Sequence, residues 1–337
     1  MTLAVARIQG DRIAIAADTR LSKPGAVFPA HEGAVKTCII NCTICVAFSN
    51  SPELAQRDFL TFAQKFRTAA PSNEAVEYFE KSSTDTGNDY ILAFSNPPRL
   101  VKIENGKRVS SVAKTIWIGD RDAYEAFRRY ELDRRARVER GRAINAVLFA
   151  DEMDGSPASD LYSAMRHVIA DRTIQHAGDF VSVVSNRPEG FRYSVYSDML
   201  YDWPGGESED YLMSLNDKLQ LGASGENSEF CIAQLSPGYI GANCLAFYFA
   251  GARCLFVFFG PNNSPAHQCR VIRDVAPDMV QPALFKLLGF DWKWLALVTS
   301  APPSKGGRRD SNDEPASSGI GISFVYRLNT MPKAQPG

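Results

Sequence analysis

The sequence predicts an α+β protein in which two antiparallel sheets stack between helical layers. Three observations carry that prediction. Hairpin signals recur between apolar strand-like runs, at Gly10-Asp11, Asn41-Cys42 and Asn105-Gly106. Helix-period stretches fall in two separate blocks, the first beginning at Ser51 and the second at Asp122. The first two strands carry Ala4, Ala6, Ala14, Ala16 and Ala17 on both faces, which suits a sheet covered on both sides.

Taken in order, LAVARIQ (3–9) and RIAIAAD (12–18) read as a strand pair, and VKTCII (35–40) with TICVAFS (43–49) as a second. A helix follows in SPELAQRDFLTFAQKF. Ser51 suits the N-cap and Pro52 the first helical position, and Ala55, Phe59, Phe62, Ala63 and Phe66 form one stripe. A short second helix is expected at 74–81. Strands resume at 89–95, at 98–112 around Asn105-Gly106, and at 115–119. Residues 122–140 read as a charged helix, and DRRARVERGR (133–142) as its solvated end rather than a nucleic-acid patch, because Asp133 and Glu139 interleave the arginines. Leu161, Ala164, Met165, Val168 and Ile169 mark an amphipathic helix over 157–171. A strand pair at 178–185 and 190–197 closes this part.

Residues 1–200 are therefore expected to form one domain, and 201–299 an extension of uncertain fold. In the extension, 203–210 reads as a turn, 242–259 as an apolar hairpin around Gly251, and 278–298 as partly helical. Residues 300–319 are a low-complexity linker and 320–337 a last strand with a tail.

The composition excludes several classes. A net charge of −1 gives no global attraction to nucleic acid or an anionic membrane. No leader-like segment is evident, and no apolar run reaches the roughly 20 residues of a membrane span. Seven cysteines without a leader fit free thiols in a cytoplasmic protein. Cys38, Cys42 and Cys45 have metal-like spacing, but strand alternation sends them to different faces, so they read as small buried hydrophobes, with Cys42 exposed if it sits at the turn. The four histidines show no metal-ligand spacing, and His176 reads as a loop histidine. Neither a cofactor nor a metal is implied.

The candidate chemistry lies at the start of the chain. Removal of Met1 would leave Thr2 with a free α-amine beside its own hydroxyl, an arrangement that activates the hydroxyl as a nucleophile. The amine titrates at about 7.7–8.0 when unperturbed, and a nearby cation keeps it neutral and basic. Lys36 is the candidate cation, and Asp18 the carboxylate that holds it. A hairpin returns the end of its second strand to the start of its first, so Asp18 is expected beside Thr2.

The stretch TLAVARIQGDRIAIAADTR resembles the N-terminal-nucleophile hydrolases of the proteasome β-subunit type, including their simpler bacterial relatives. It matches from Thr2 through Asp18 to Arg20 without a gap, and Lys36 follows after a slightly longer loop. The resemblance is specific over residues 2–55 and weaker but ordered through WIGDRDAYEAF (117–127) and HAGDFVSVV (176–184). It implies an αββα sandwich of two antiparallel sheets, with Thr2, Asp18 and Lys36 catalytic and Arg20 a supporting salt bridge near them. It places the oxyanion-binding N–H groups near Ser49 and Asn50. It also implies peptide or protein substrates, a ring-forming homo-oligomer and an unfoldase ATPase partner. Two positions depart from the family pattern: Asp120 and Ala177 stand where serines are usual. Asp120 could hold the amine by a hydrogen bond or raise its pKa. Asp171 and Asp179 are the nearby acids, neither at the usual spacing. The expectation is a threonine-type amide hydrolase. The alternatives are an inactive scaffold on the same fold and a small-molecule amidohydrolase.

Overall fold

The computed structural model describes residues 2–23, 26–27, 29–66, 72–109, 114–139, 147–150, 156–200, 230–237, 243–249, 252–259, 269–299 and 322–327. It is a mixed α/β structure built from antiparallel sheets. The first half runs β1 (Leu3–Gln9), β2 (Arg12–Asp18), a small ribbon of β3 (Ser22–Lys23) and β4 (Ala26–Val27), β5 (Thr37–Asn41) and β6 (Ile44–Phe48). Next come α1 (Pro52–Lys65), α2 (Ser72–Thr86), β7 (Tyr90–Ser95), β8 (Pro98–Glu104), β9 (Lys107–Val109), β10 (Thr115–Gly119) and α3 (Arg121–Glu139). The rest is β11 (Val147–Phe149), α4 (Pro157–Ala170), β12 (Val181–Arg187), β13 (Gly190–Tyr193), β14 (Tyr196–Leu200), β15 (Phe230–Pro237), β16 (Cys244–Phe249), β17 (Cys254–Phe259), β18 (Cys269–Ile272), α5 (Val280–Leu288), β19 (Trp292–Thr299) and β20 (Ile322–Arg327).

The first sheet has the order β10-β1-β2-β12-β13, and the second β5-β6-β7-β8-β9. Local sequence sets much of this. Gly10 takes φ 63 in the β1–β2 turn, and Asn105 and Gly106 take φ 51 and 73 in the β8–β9 turn. That left-handed region is where Gly and Asn are tolerated. Ser51 accepts the Leu54 N–H at 3.4 Å, and Ser156 that of Ser159 at 3.2 Å, so both helices begin on a serine cap followed by proline.

Strand alternation explains the apolar runs. In β6 and β7, Ile44, Val46, Phe48, Tyr90, Leu92 and Phe94 join Phe59, Phe62 and Phe79 of α1 and α2. The intervening Cys45, Ala47, Ile91 and Ala93 join the cluster that contains β1, β2 and α4. Both faces of β6 and β7 are thus buried, as a near-continuous apolar strand requires. On the first sheet, α4 packs across β1, β2 and β12, with α3 against α4.

The described strands past residue 200 join β11 and β14 in a third sheet, in the order β11-β14-β15-β16-β17-β18, with β19 on β15 and β20 on β19. Residue 200 is the last residue of β14, which pairs with β15, so this sheet spans the expected domain boundary. It too alternates. Ile232, Leu245, Phe247, Phe249, Phe256 and Phe258 join the core of the first sheet. Ala233, Leu235, Ala246, Tyr248 and Val257 pack under Val280 and Leu284 of α5. Phe180 stacks on Phe247 at 4.5 Å and lies 4.9 Å from Phe256. Two side-chain amides join the sheets. Asn243 exchanges hydrogen bonds with both backbone groups of Ile39 on β5, at 2.7 and 2.8 Å. Gln234 does the same for Val183 on β12, at 3.1 and 3.0 Å. Backbone groups at sheet margins need such partners.

The expected strand at 190–197 is divided. β13 ends at Tyr193, and Tyr196 begins β14 in the third sheet. Helix α2 runs to Thr86 rather than ending near residue 81, with the buried Ser82 and Ser83 in its last turns. The stretch expected to be partly helical holds α5, and the apolar segment after it is the strand β19. The expected turn at 203–210, linker at 300–319 and tail at 328–337 lie outside the described residues. No helix among the described residues is long and apolar enough to cross a membrane.

Candidate active site at the start of the first strand

The β1–β2 register pairs Ala4 with Ala17, which puts Asp18 opposite the residues that precede Ala4. Asp18 is wholly buried and collects three donors. Its Oδ1 accepts the Leu3 N–H and Lys36 Nζ, each at 2.9 Å, and its Oδ2 accepts the Gly178 N–H at 3.1 Å. Three distant pieces of chain therefore meet on one carboxylate. Lys36, directly before β5, is also wholly buried, and its Nζ donates to the Arg20 carbonyl as well. Burial lowers the pKa of the Lys36 ammonium, while the charge and hydrogen bond of Asp18 act in the opposite direction. Asp18 thus offsets part of the cost of burying the Lys36 ammonium.

Thr2 is itself buried, and its carbonyl accepts the Asp120 N–H at 2.6 Å. The contact depends on Gly119, which takes φ 102 and approaches Thr2 so closely that a Cβ there would lie 1.8 Å from the Thr2 carbonyl oxygen. Gly119 was not apparent in the sequence as a site residue; its only signal is its place between a strand and a helix start. The Asp120 carboxylate is used elsewhere. Its Oδ1 accepts the Ala123 N–H at 2.8 Å and caps the first turn of α3. Asp120 thus touches Thr2 through its backbone, and its side chain caps a helix.

Arg20 is nearly buried and binds Asp179 Oδ1 through Nε at 3.1 Å and Nη2 at 2.8 Å, with the Gln175 carbonyl 3.3 Å from Nη1. Asp179 stands at φ 64 with no exposed side-chain surface. Burial pushes its pKa up to about 6 against the opposing pull of Arg20. Gly178 leaves room for that pair, since a Cβ there would meet the Arg20 guanidinium at 2.7 Å. Thr19 fixes the same loop: its N–H donates to the Phe180 carbonyl at 3.0 Å, and its hydroxyl accepts the Phe180 N–H at 3.1 Å. Gly178 and Thr19 are further site-shaping residues that motif reading missed, because they act through backbone contacts. Asp171 instead closes its own loop, accepting the Thr173 N–H at 2.9 Å.

Ser49 and Asn50 lie at the turn from β6 into α1. The Ser49 N–H is donated to the Asp89 carbonyl at 3.0 Å, so it is committed within the fold. Asn50 turns the chain at φ 76, and its side chain donates to the Gly87 carbonyl at 2.7 Å. Of the two expected oxyanion donors, only Asn50 is left as a candidate. His176 is half-buried in the loop before Gly178, and its Nδ1 has no hydrogen-bond partner among the described residues.

The cysteines divide as alternation requires. Cys38 lies on the helix side of the second sheet, Cys45 lies between the sheets, and Cys42 is exposed at a turn. Burial raises the thiol pKa of Cys38 and of Cys45, which keeps both protonated. A surface groove of about 570 Å³, lined by Arg12, Cys42, Asn96 and Asn186, lies at the hairpin end of the sheets. It is a full strand length from Thr2, ~20 Å at about 3.3 Å per residue, and takes no part in the site.

The chain matches no protein-family model, and no curated protein is significantly similar to it.

Proposed function

We propose that this chain is an N-terminal-nucleophile amide hydrolase of the threonine type, acting on peptide or protein substrates. The observation that carries the reading is the convergence of Leu3 N–H, Lys36 Nζ and Gly178 N–H on the buried Asp18 carboxylate. That convergence ties a paired lysine to the residue next to Thr2. In this reading the fold is a four-layer αββα sandwich with the third sheet added to it. The helix pair α1–α2, the second sheet, the first sheet and the pair α3–α4 form the layers.

Removal of Met1 exposes the Thr2 amine. The neutral amine takes the proton of the Thr2 hydroxyl, and Oγ attacks the amide carbonyl. Lys36 lowers the amine's proton affinity, and Asp18 keeps Lys36 charged and in place. The Asn50 N–H meets the developing oxyanion. The proton passes to the leaving amine, and water then hydrolyses the ester on Thr2. No step draws on a metal or cofactor. The described cysteines are free thiols, which suits work in the cytoplasm. A homo-oligomeric ring fed by an unfoldase ATPase is the assembly proposed with this activity.

The second reading is an inactive scaffold on the same fold. It is favoured by one feature: neither Asp120, whose carboxylate caps α3, nor Ala177 presents a hydroxyl to the Thr2 amine. Hydrolysis of fluorogenic peptide amides separates the two readings. Wild type should turn over, Thr2→Ser should keep part of the rate because a hydroxyl remains, and Thr2→Ala should fall to background. Equal rates for wild type and Thr2→Ala would rule out Thr2 as nucleophile.

A further inference from the structure

We infer that Asp179 is a positioning residue that acts through Arg20 to hold Lys36 in its charged, Asp18-paired state. The inference rests on the hydrolase reading for its catalytic consequence, but not for its electrostatics.

Among the described residues, four charged side chains share this buried region. Asp18 and Lys36 form one pair at 2.9 Å, and Arg20 and Asp179 the other at 2.8 Å. All four are buried. Arg20 connects the pairs, since its guanidinium holds Asp179 while its carbonyl accepts Lys36 Nζ. With both carboxylates ionised, two positive and two negative charges balance. Loss of the Asp179 charge would leave one excess positive charge in a desolvated site, where Coulomb interactions are weakly screened. Lys36 feels the Asp179 charge as a stabilising influence and the Arg20 charge as a destabilising one.

The geometry of Asp179 is unusual for a structural salt bridge. Both Arg20 bonds fall on Oδ1, and Oδ2 is buried with no hydrogen-bond partner among the described residues. A buried carboxylate oxygen without a donor is expensive to maintain. Asp58 differs: Ser82 and Tyr90 donate to its Oδ2, and its Oδ1 has the Arg57 guanidinium 3.8 Å away. Among the described residues, the titratable groups facing Asp179 are Arg20 and Asp18 of the β2 end, Lys36 before β5, and Cys269 of β18. Burial raises the Cys269 thiol pKa, and the Asp179 charge adds to that. The half-buried His176 lies in the same loop.

Asp179→Asn is a clean charge deletion. The amide oxygen can keep both Arg20 bonds, and the amide nitrogen replaces an oxygen that accepts nothing. The backbone at φ 64 also suits Asn. The test follows Lys36 by NMR of labelled lysine side chains, with the signal assigned by its loss in Lys36→Arg. The Lys36 pKa should be lower in Asp179→Asn than in wild type, and an unchanged value would overturn the inference. Asp179→Gly, which also fits the positive φ, should shift it in the same direction.

Stability supplies a second readout. The folded pKa of Asp179 is raised, so its protonated form stabilises the fold below about pH 4, and that contribution is lost as pH rises through 6. The wild-type curve should fall through this window relative to Asp179→Asn. Parallel curves would contradict the assignment. For catalysis, over the pH range in which Lys36 keeps its proton, the acid limb of the Thr2 acylation rate should move to lower pH in Asp179→Asn, because removing a negative charge makes the amine easier to deprotonate. A merely structural Asp179 would lower the rate without moving the limb. Absence of acylation in wild type, with the Lys36 shift intact, would overturn the hydrolase reading and leave the charge coupling standing.

Discussion

Asp18→Asn is expected to destabilise the protein by about 3–5 kcal/mol and to abolish acylation of Thr2. Lys36 has no exposed side-chain surface, and Asp18 is its carboxylate partner at 2.9 Å. Removing one member of a buried ion pair leaves an uncompensated charge, which typically costs about 3–5 kcal/mol. Asn also offers one acceptor oxygen where the carboxylate serves Leu3, Lys36 and Gly178 with two. The double variant Asp18→Asn/Lys36→Met removes the stranded charge while roughly conserving volume. It should recover much of the lost stability but none of the acylation. Urea denaturation and probe labelling measure the two effects separately. A stable, fully reactive Asp18→Asn would contradict the site as described.

Gly119→Ala should have the other large effect. The new methyl would lie 1.8 Å from the Thr2 carbonyl oxygen and 2.7 Å from its carbon, both backbone atoms. Relief requires β10 and the start of β1 to separate, which breaks the Asp120 N–H to Thr2 bond. Added to the strain of an L-residue at φ 102, a loss of at least about 3 kcal/mol is expected. Gly10→Ala is the control. It also has a positive φ, 63, but nothing lies within 4 Å of the added carbon. It should cost only about 1 kcal/mol. If the two variants melt alike in urea, close approach to Thr2 is not what Gly119 provides.

The parts of this structure that were legible in the sequence are the local ones. The β1–β2 hairpin follows from one Gly-Asp turn between two apolar runs. Its geometry alone brings Asp18 to Leu3. The serine caps and proline starts of α1 and α4 are equally local. Of the third sheet, the β16–β17 hairpin was legible as an apolar run; the strand order was not, because it depends on pairings between β14 and β15 across 29 intervening residues and between β11 and β14 across α4, β12 and β13. Trp292–Thr299 is an apolar run whose period does not distinguish a buried strand from a helix. Ser194 and Val195 give no sign that the chain leaves the first sheet there; Gln234, 40 residues on, takes up the Ser194 carbonyl. In the site, Asp18, Arg20 and Lys36 announce themselves by charge in an apolar setting. Gly119 and Gly178 do not, since what matters is the space they leave for Thr2 and Arg20, far away in sequence.

The most direct test of the account is intact-mass spectrometry of the purified protein before and after incubation with a β-lactone that acylates N-terminal threonines. The account predicts a chain lacking Met1 that gains a single adduct, mapped to Thr2 and absent from Thr2→Ala. A chain that retains Met1 and takes up no adduct would contradict it and establish the scaffold reading in its place.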